Sequence, residues 1–548
     1  MKISFLTGLS VILSAVTMIT SCSGDEKNEG DIKKSHKKSD RNYAINKQNA
    51  YSDLFMDSTA VEKFIAQQKL NDTIADDLRL FYNLRNFQFA WFSTDGATEQ
   101  MLSFRSLYDY SKDSGATRKS LDNRLDDILT NDSLGTLTAS PTISKTELLL
   151  TWRFINYVHQ RNKRESDQRK LYAEMVPAMK SPVLTVADAM LEGTRNDFKV
   201  PAQDYESLKK QLALYTEKAK AGGFPKISAT GKILKKGTKN KSIKQIKQRL
   251  AAESLYSSDT TEVFTDELES VVRETQARYG LTADGRIGAS LIKQLNIPAE
   301  QRVEQILINL ERMKWMPAEP KGRLIIVNIP EFKLHVRDGS SKAFDMDIVV
   351  GKEGNNTINF SGNLNQVVFN PYWNVPRSIV SKEVVPGMDN NEYYLEDHNM
   401  EVTGEEDGLP VVRQLPGDRN ALGRVKFLFP NSFNIYFHDT PEKELFKRTK
   451  RAYSHGCIRL ADPMKMANYL LEDDEQWSAE KVDSVLSTEK EKYVRVKDPV
   501  PVLISYYTCW VNENGKIEFR DDIYSHDKKI SRKLFSQPAG SGGKLAAR

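Results

Sequence analysis

The sequence predicts a multidomain α+β protein: a helical N-terminal scaffold, a small three-helix domain, and a β-rich, sandwich-like C-terminal domain. Three observations predict it. The chain has 548 residues, too many for one core at about 150 residues per domain. From Tyr51 to Gly222 apolar residues recur at helical spacing. After Trp315-Met316-Pro317 the period changes to strand-like alternation, closing on an Asn514-Gly515 hairpin signal.

Composition narrows the classes. Hydrophobic residues are 39% and charged residues 28% of the chain. That excludes a polytopic membrane protein, a collagen-like fibre and a wholly disordered chain. The 79 Lys+Arg against 74 Asp+Glu leave a net charge of only +5. With no concentrated basic face, no nucleic-acid partner is expected. Three cysteines, Cys22, Cys457 and Cys509, are too few for a disulfide framework.

The N-terminus has a basic start, an apolar run from Ile3 to Ile19, and small residues before Cys22. This is the pattern of an export signal over residues 1–21. An uncleaved membrane anchor is the rival, but Ser4, Thr7, Gly8, Ser10, Ser14 and Thr17 interrupt the run. Residues 22–50 open with charged sequence almost without apolar residues, which reads as a tether. Ile19-Thr20-Ser21-Cys22 resembles the lipobox of bacterial lipoproteins. The resemblance implies lipidation at Cys22 and an exported protein on the periplasmic side of a bacterial membrane, the outer membrane being expected. Two or three acyl chains hold a protein there stably.

Residues 51–230 form the expected helical scaffold. Val61, Phe64, Ile65 and Leu70, then Leu78, Phe81 and Leu84, mark helix faces. Phe87, Phe89, Trp91 and Phe92 read as core, and His159 as a structural histidine. In 231–300, Ile243-Ile246-Leu250, Leu268-Val271-Val272 and Leu291-Ile292-Leu295 give three short helices. Gly280 suits a helix C-cap and Asp284-Gly285 a tight turn. The run Glu274 to Leu295 resembles the three-helix peptidoglycan-binding domain of wall enzymes, with Thr275 where an aromatic is usual.

Residues 320–530 carry the chemistry. A strand ends in Tyr436-Phe437-His438-Asp439, and Ser454-His455-Gly456-Cys457-Ile458-Arg459 follows. A cysteine nucleophile needs a lowered pKa, a nearby histidine and donors for an oxyanion. Gly456 permits a turn that aims consecutive N–H groups at one point, and Arg459 can hold a carboxylate or brace the loop. Two other readings stay open. His438, His455 and Cys457 could bind zinc, although no fourth ligand stands at a customary spacing. Cys457 and Cys509 could form a disulfide, against a buried free thiol at Cys509. His335, His398 and His526 have no partner in sequence and read as surface or strand residues.

The run SHGCIR, with His438 upstream, resembles the signature of L,D-transpeptidases with a YkuD-type catalytic domain. Asn370 to Pro376, His438-Asp439-Thr440-Pro441 and Phe519 to Tyr524 (FRDDIY) agree with it. With the helical scaffold and binding module, the chain resembles the large YcbB-type subfamily. The resemblance implies an enzyme of cell-wall organisation that forms 3→3 peptidoglycan cross-links through a Cys457 thioester. It implies His438 as acid and base, oriented by the Asp439 carbonyl, and N–H groups of Gly456 and Cys457 at the oxyanion. Ser454, Arg459 and Tyr436 would support the site; His455 stands where that subfamily often has serine, so its role stays open. A flexible capping loop is expected over about 387–426 and a flexible tail over 531–548. No cofactor is implied; peptidoglycan stem peptides are the partners, and carbapenem inhibition is expected. L,D-carboxypeptidase activity, protein-to-wall attachment, or a non-catalytic peptidoglycan-binding lipoprotein are the alternatives.

Overall fold

The computed structural model describes residues 40–536, except 112–118, 131–135, 162–167, 194–201, 229–230, 258, 260, 317–321 and 340. Cys22, the leader 1–21 and the tail from 537 lie outside the described residues. Two boundaries move. The expected tether to residue 50 ends sooner, because Ile45 and Ala50 are buried and Ala50 bridges Met179. The expected flexible tail from 531 begins inside a helix, His526–Leu534, whose Ile530 and Leu534 are buried. Its apolar face had to be covered, and Phe535 continues the contact by bridging Ser181.

The scaffold is helical as its periodicity predicts. Helices Ser58–Gln68 and Asp72–Leu84 start on Asp57 and Asn71, whose side chains accept from Thr59 and Ile74 amides. Helix Pro141–Arg161 runs through the core. Its buried Glu147 accepts from the backbone N–H groups of Ala90 (2.6 Å) and Trp91 (3.0 Å). Phe87, Phe89, Trp91 and Phe92 are all buried. His159 faces Asp77 at 2.5 Å.

The three-helix unit comprises Lys241–Ala252, Asp266–Arg278 and Ala289–Leu295. Asp284 Oδ1 accepts from Gln276 Nε2 (2.7 Å) and from the Arg286 amide (2.9 Å), fixing the turn. Gly285 sits there at φ +73°, where a Cβ would press on Arg273 and Glu269. Arg278 Nε donates to the Ile517 carbonyl (2.9 Å), and the unit shares its core with Cys509, Phe519 and Ile530. Helix Ala299–Met313 leads onward, with Arg312 paired to Glu99 of the scaffold and to Asp527.

The C-terminal domain is one large mixed sheet. Its strands are β1 Arg323–Asn328, β2 Lys333–Asp338, β3 Ser341–Gly351, β4 Ser361–Phe369, β5 Val425–Leu428, β6 Phe437–His438, β7 Ala452–Ser454, β8 Ile458–Leu460 and β9 Lys492–Ser505. Their order is β7-β3-β8-β6-β5-β4-β9-β1-β2. β3 pairs β2 through Lys342–Asp347 and β8 through Ile348 and Val349, so the sheet closes on itself. That closure is how the sandwich-like expectation is realised. Ile325, Val336, Ile348, Phe427, Phe437, Ile458 and Val502 fill its interior.

The expected capping loop is instead a small folded subdomain. Trp373–Asn374, Leu409–Gln414 and Met400–Glu406 form a three-stranded sheet, with a π-turn at Val380–Val384. Val375, Ile379, Val380, Val384 and Val412 give it a core of its own. It begins before residue 387 and ends before β5, because 425–428 belongs to the large sheet.

Candidate active site

Strand alternation builds the site. Val425, Phe427, Phe437, Ile458 and Leu460 point into the core, so Lys426, His438 and Arg459 point to the opposite face. Tyr436 and Cys457, one residue outside β6 and β8, share that parity. Antiparallel pairing sets Lys426 opposite His438, and parallel pairing sets His438 opposite Arg459. The Ile458 amide donates to the Tyr436 carbonyl (3.1 Å), which fixes Cys457 beside Tyr436.

His438 is buried, and its Nδ1 lies 2.5 Å from the Asp439 carbonyl oxygen. A carbonyl only accepts, so Nδ1 carries the proton and Nε2 is left with a lone pair. Burial, then the nearby Arg459, holds the His438 pKa down at about 3, so the ring is neutral. The Asp439 carboxylate is structural. It accepts from the Arg424 amide (2.9 Å) and from Lys443 Nζ (2.5 Å).

The Cys457 thiol contacts the Asn434 carbonyl at 3.6 Å and faces the Tyr436 hydroxyl. Burial raises its pKa against the opposing pull of Tyr436, Lys426 and Arg459. The lowered thiol pKa expected of a nucleophile is therefore absent here: desolvation outweighs the neighbouring cations. Thiol and imidazole are both neutral at rest.

The nucleophile turn is held from behind. Gly456 takes φ +118°, open to glycine. Thr357 donates to the Gly456 carbonyl (2.8 Å) and accepts from the Gly351 amide (3.0 Å). Tyr524, at the end of FRDDIY, donates to the Gly351 carbonyl (2.5 Å). Ser454 Oγ donates to the Cys457 carbonyl (2.5 Å) and accepts from the Gly456 amide (3.2 Å). The Gly456 N–H is thus occupied, whereas the Cys457 N–H meets no acceptor among the described residues.

Two supporting residues have acidic partners of their own. His455 turns toward Glu383 of the π-turn (3.4 Å) rather than toward His438. Arg459 pairs with Glu442, bracing the segment after His438. Among the described residues no group of His, Cys, Asp and Glu is arranged to hold a metal ion. Cys509 is a buried free thiol in the core shared with the three-helix unit, while Cys457 belongs to the large sheet.

Sequence reasoning missed Lys426 and Thr357, and it placed Trp373 in a matching run without a role at the site. Lys426 Nζ lies 3.9 Å from the Tyr436 ring centroid, and the His438 ring packs edge-on against that ring at 5.7 Å. The Trp373 side chain lies near the Tyr436 hydroxyl, bringing the capping subdomain up to the site. Val425-Lys426-Phe427 carried a signal in its apolar flanks, which place the lysine on the outer face. A cavity of about 510 Å³ between the scaffold and β4, lined by Arg105, Asp126, Phe360 and Phe433, does not include Cys457 or His438.

Parts of the chain are similar to known proteins. Residues 322–502 match the L,D-transpeptidase catalytic domain (YkuD). Residues 239–295 match the "Putative peptidoglycan binding domain", and 76–212 a scaffold domain. A Haemophilus influenzae protein named "Putative L,D-transpeptidase" is 32% identical over 245 residues, 42% of this chain and 49% of that protein. The chain thus spans about half the length of the curated relative it matches. An L,D-transpeptidase from Stackebrandtia nassauensis is 14% identical, covering 51% of this chain and 96% of the other, with a TM-score of 0.22. An L,D-transpeptidase (residues 123–326) from Xylanimonas cellulosilytica is 11% identical, covering 50% and 98%, with a TM-score of 0.16. Superposition at that level is poor, so the kinship rests on the matched sequence. Residues 322–502 are thus similar to the YkuD-type L,D-transpeptidase catalytic domain and residues 239–295 to a peptidoglycan-binding domain.

Proposed function

We propose that this chain, built around a YkuD-type catalytic domain, joins peptidoglycan stem peptides by 3→3 cross-links through a thioester on Cys457. The observation that carries the reading is the β6–β8 pairing. It pairs the strand ending in His438 with the strand that follows Cys457, so thiol and imidazole share one face of the sheet, and the His438 Nδ1 is committed to a carbonyl, which leaves Nε2 to take a proton.

The steps balance on these atoms. His438 Nε2 takes the Cys457 proton as sulfur attacks the carbonyl at the L-centre of the third stem residue. The oxyanion is met by the Cys457 N–H. The C–N bond breaks, the leaving nitrogen takes the proton from Nε2, and D-Ala departs. The side-chain amine of a second stem then attacks the thioester and yields a proton to Nε2. The C–S bond breaks, and sulfur recovers its proton.

The three-helix unit would hold the enzyme on the wall, and lipid on Cys22, implied by the lipobox-like run Ile19 to Cys22, would hold it on the outer membrane. Carbapenems would acylate Cys457. Purified protein incubated with tetrapeptide muropeptides should yield 3→3 dimers by mass spectrometry, and Cys457→Ala should yield none. Dimers formed by Cys457→Ala would overturn the reading.

A further inference from the structure

Among the described residues Lys426 is a cation without a paired carboxylate, on the sheet face that carries Cys457 and His438. It stands on β5 directly across from His438, on the outer face of the sheet. Its ammonium lies 3.9 Å from the Tyr436 ring centroid, and the hydroxyl of that same ring faces the Cys457 sulfur. Among the described residues no carboxylate pairs with it. Asp439 is taken by Lys443 and the Arg424 amide, Glu442 by Arg459, and Glu491 accepts from the Tyr372 amide. A half-buried ammonium is costly unless an anion or a strong acceptor meets it. An aromatic face offsets only part of that cost.

A ligand carboxylate would complete the arrangement. In a peptide cut at its last bond, the terminal carboxyl carbon stands three bonds from the scissile carbon. At ordinary bond lengths that is roughly 4 Å or less. A cation that recognises this group must therefore stand beside the nucleophile, and Lys426 does. We infer that Lys426 binds the free C-terminal carboxylate of the donor peptide, so that the site selects donors exactly one residue longer than the acyl group it keeps. Burial also lowers the Lys426 pKa, with the Cys457 and Glu491 charges opposing, which fits an ammonium that gains from an arriving anion.

The inference rests on the proposed acyl transfer, and the test separates the two. The probes are a donor tetrapeptide ending in free D-Ala and the same peptide ending in D-Ala amide. Acylation of full-length Cys457 protein is followed by intact mass. The wild type should acylate at least about tenfold faster with the acid than with the amide, the equivalent of one lost charge-assisted contact. Lys426→Met should bring the acid down to the amide's rate, and Lys426→Arg should keep part of the difference. A wild-type ratio near one, or a ratio that Lys426→Met leaves intact, overturns the inference. An equal fall with both peptides would assign Lys426 to thiolate stabilisation and also overturn it. Acylation by neither peptide in the wild type would overturn the transfer reading and this inference with it. Unchanged melting temperature in both variants excludes misfolding as the cause.

Discussion

Thr357 Oγ1 donates a 2.8 Å hydrogen bond to the carbonyl oxygen of Gly456. In a trans peptide the carbonyl and the following N–H point opposite ways. Holding the Gly456 carbonyl inward therefore aims the Cys457 N–H outward, where the oxyanion of the proposed reaction would form. Thr357 itself comes from the loop between β3 and β4, almost a hundred positions away in sequence, and is fully buried. It is a positioning residue, distant in sequence and adjacent in space.

Replacing it tests that role. Thr357→Val keeps the volume and removes the donor, leaving the Gly456 carbonyl without its partner. The expected effect is a fall in kcat of about tenfold or somewhat more, equivalent to 1–2 kcal/mol of lost alignment, with KM little changed. Thr357→Ser should restore most of the rate. An equal rise in KM, or no rescue by serine, would show that the contact serves packing alone.

The neutral resting pair gives a pH signature. Burial raises the Cys457 pKa and lowers that of His438 to about 3. The thiolate fraction, and with it the rate of iodoacetamide alkylation, should climb through and beyond the ordinary thiol range near pH 8.5. No inflection is expected between pH 4 and 7. A plateau already reached at neutral pH would mean a preformed thiolate–imidazolium pair and would contradict this electrostatic account.

These groups differ in how far the sequence revealed them. His438 and Cys457 stand in runs whose residue types announce the chemistry. The helices of the scaffold and of the three-helix unit were legible because 3.6-residue periodicity and a helix-ending glycine such as Gly280, at φ +64°, are local properties. Lys426 and Thr357 were not legible as site residues. Alternation assigns Lys426 to a face, but only the pairing of β5 with β6 names its neighbour. Thr357 acts through a loop-to-turn contact that no periodicity encodes. The capping segment read as loop because its Gly and Pro residues are dense, yet five scattered valines and isoleucines suffice for a core once they meet.

A third prediction concerns stability. His335 donates from Nδ1 to Asp345 (2.8 Å) and from Nε2 to Glu331 (3.0 Å). Burial alone would lower its pKa, but the two carboxylates outweigh that and raise it to about 9. The folded pKa lies above the unfolded value near 6.5, so the charged ring stabilises the fold fully below pH 6.5. That contribution, at most roughly 3 kcal/mol, is lost as pH rises through 9. The melting-temperature gap between wild type and His335→Gln should accordingly be large at pH 6 and small at pH 9.5. A gap that is independent of pH would show that the ring acts by packing.

The last prediction uses two glycines as a pair. Gly423 precedes β5 at φ +60°, and a Cβ there would lie 2.3 Å from the Asp439 carboxylate. That carboxylate caps the Arg424 amide and so fixes the backbone whose carbonyl holds His438 Nδ1. Gly423→Ala combines an unfavourable backbone region, about 1–2 kcal/mol, with a push on Asp439. Both the melting temperature and the acylation rate should fall, because the displaced segment carries the acceptor that sets the His438 tautomer. Gly404, in the capping hairpin, has nothing within 4 Å of its would-be Cβ, and Gly404→Ala should leave both measurements near wild type. If Gly423→Ala lowered stability while acylation of the folded fraction stayed unchanged, the His438–Asp439 contact would not depend on this turn, and the link from Gly423 to catalysis would be broken.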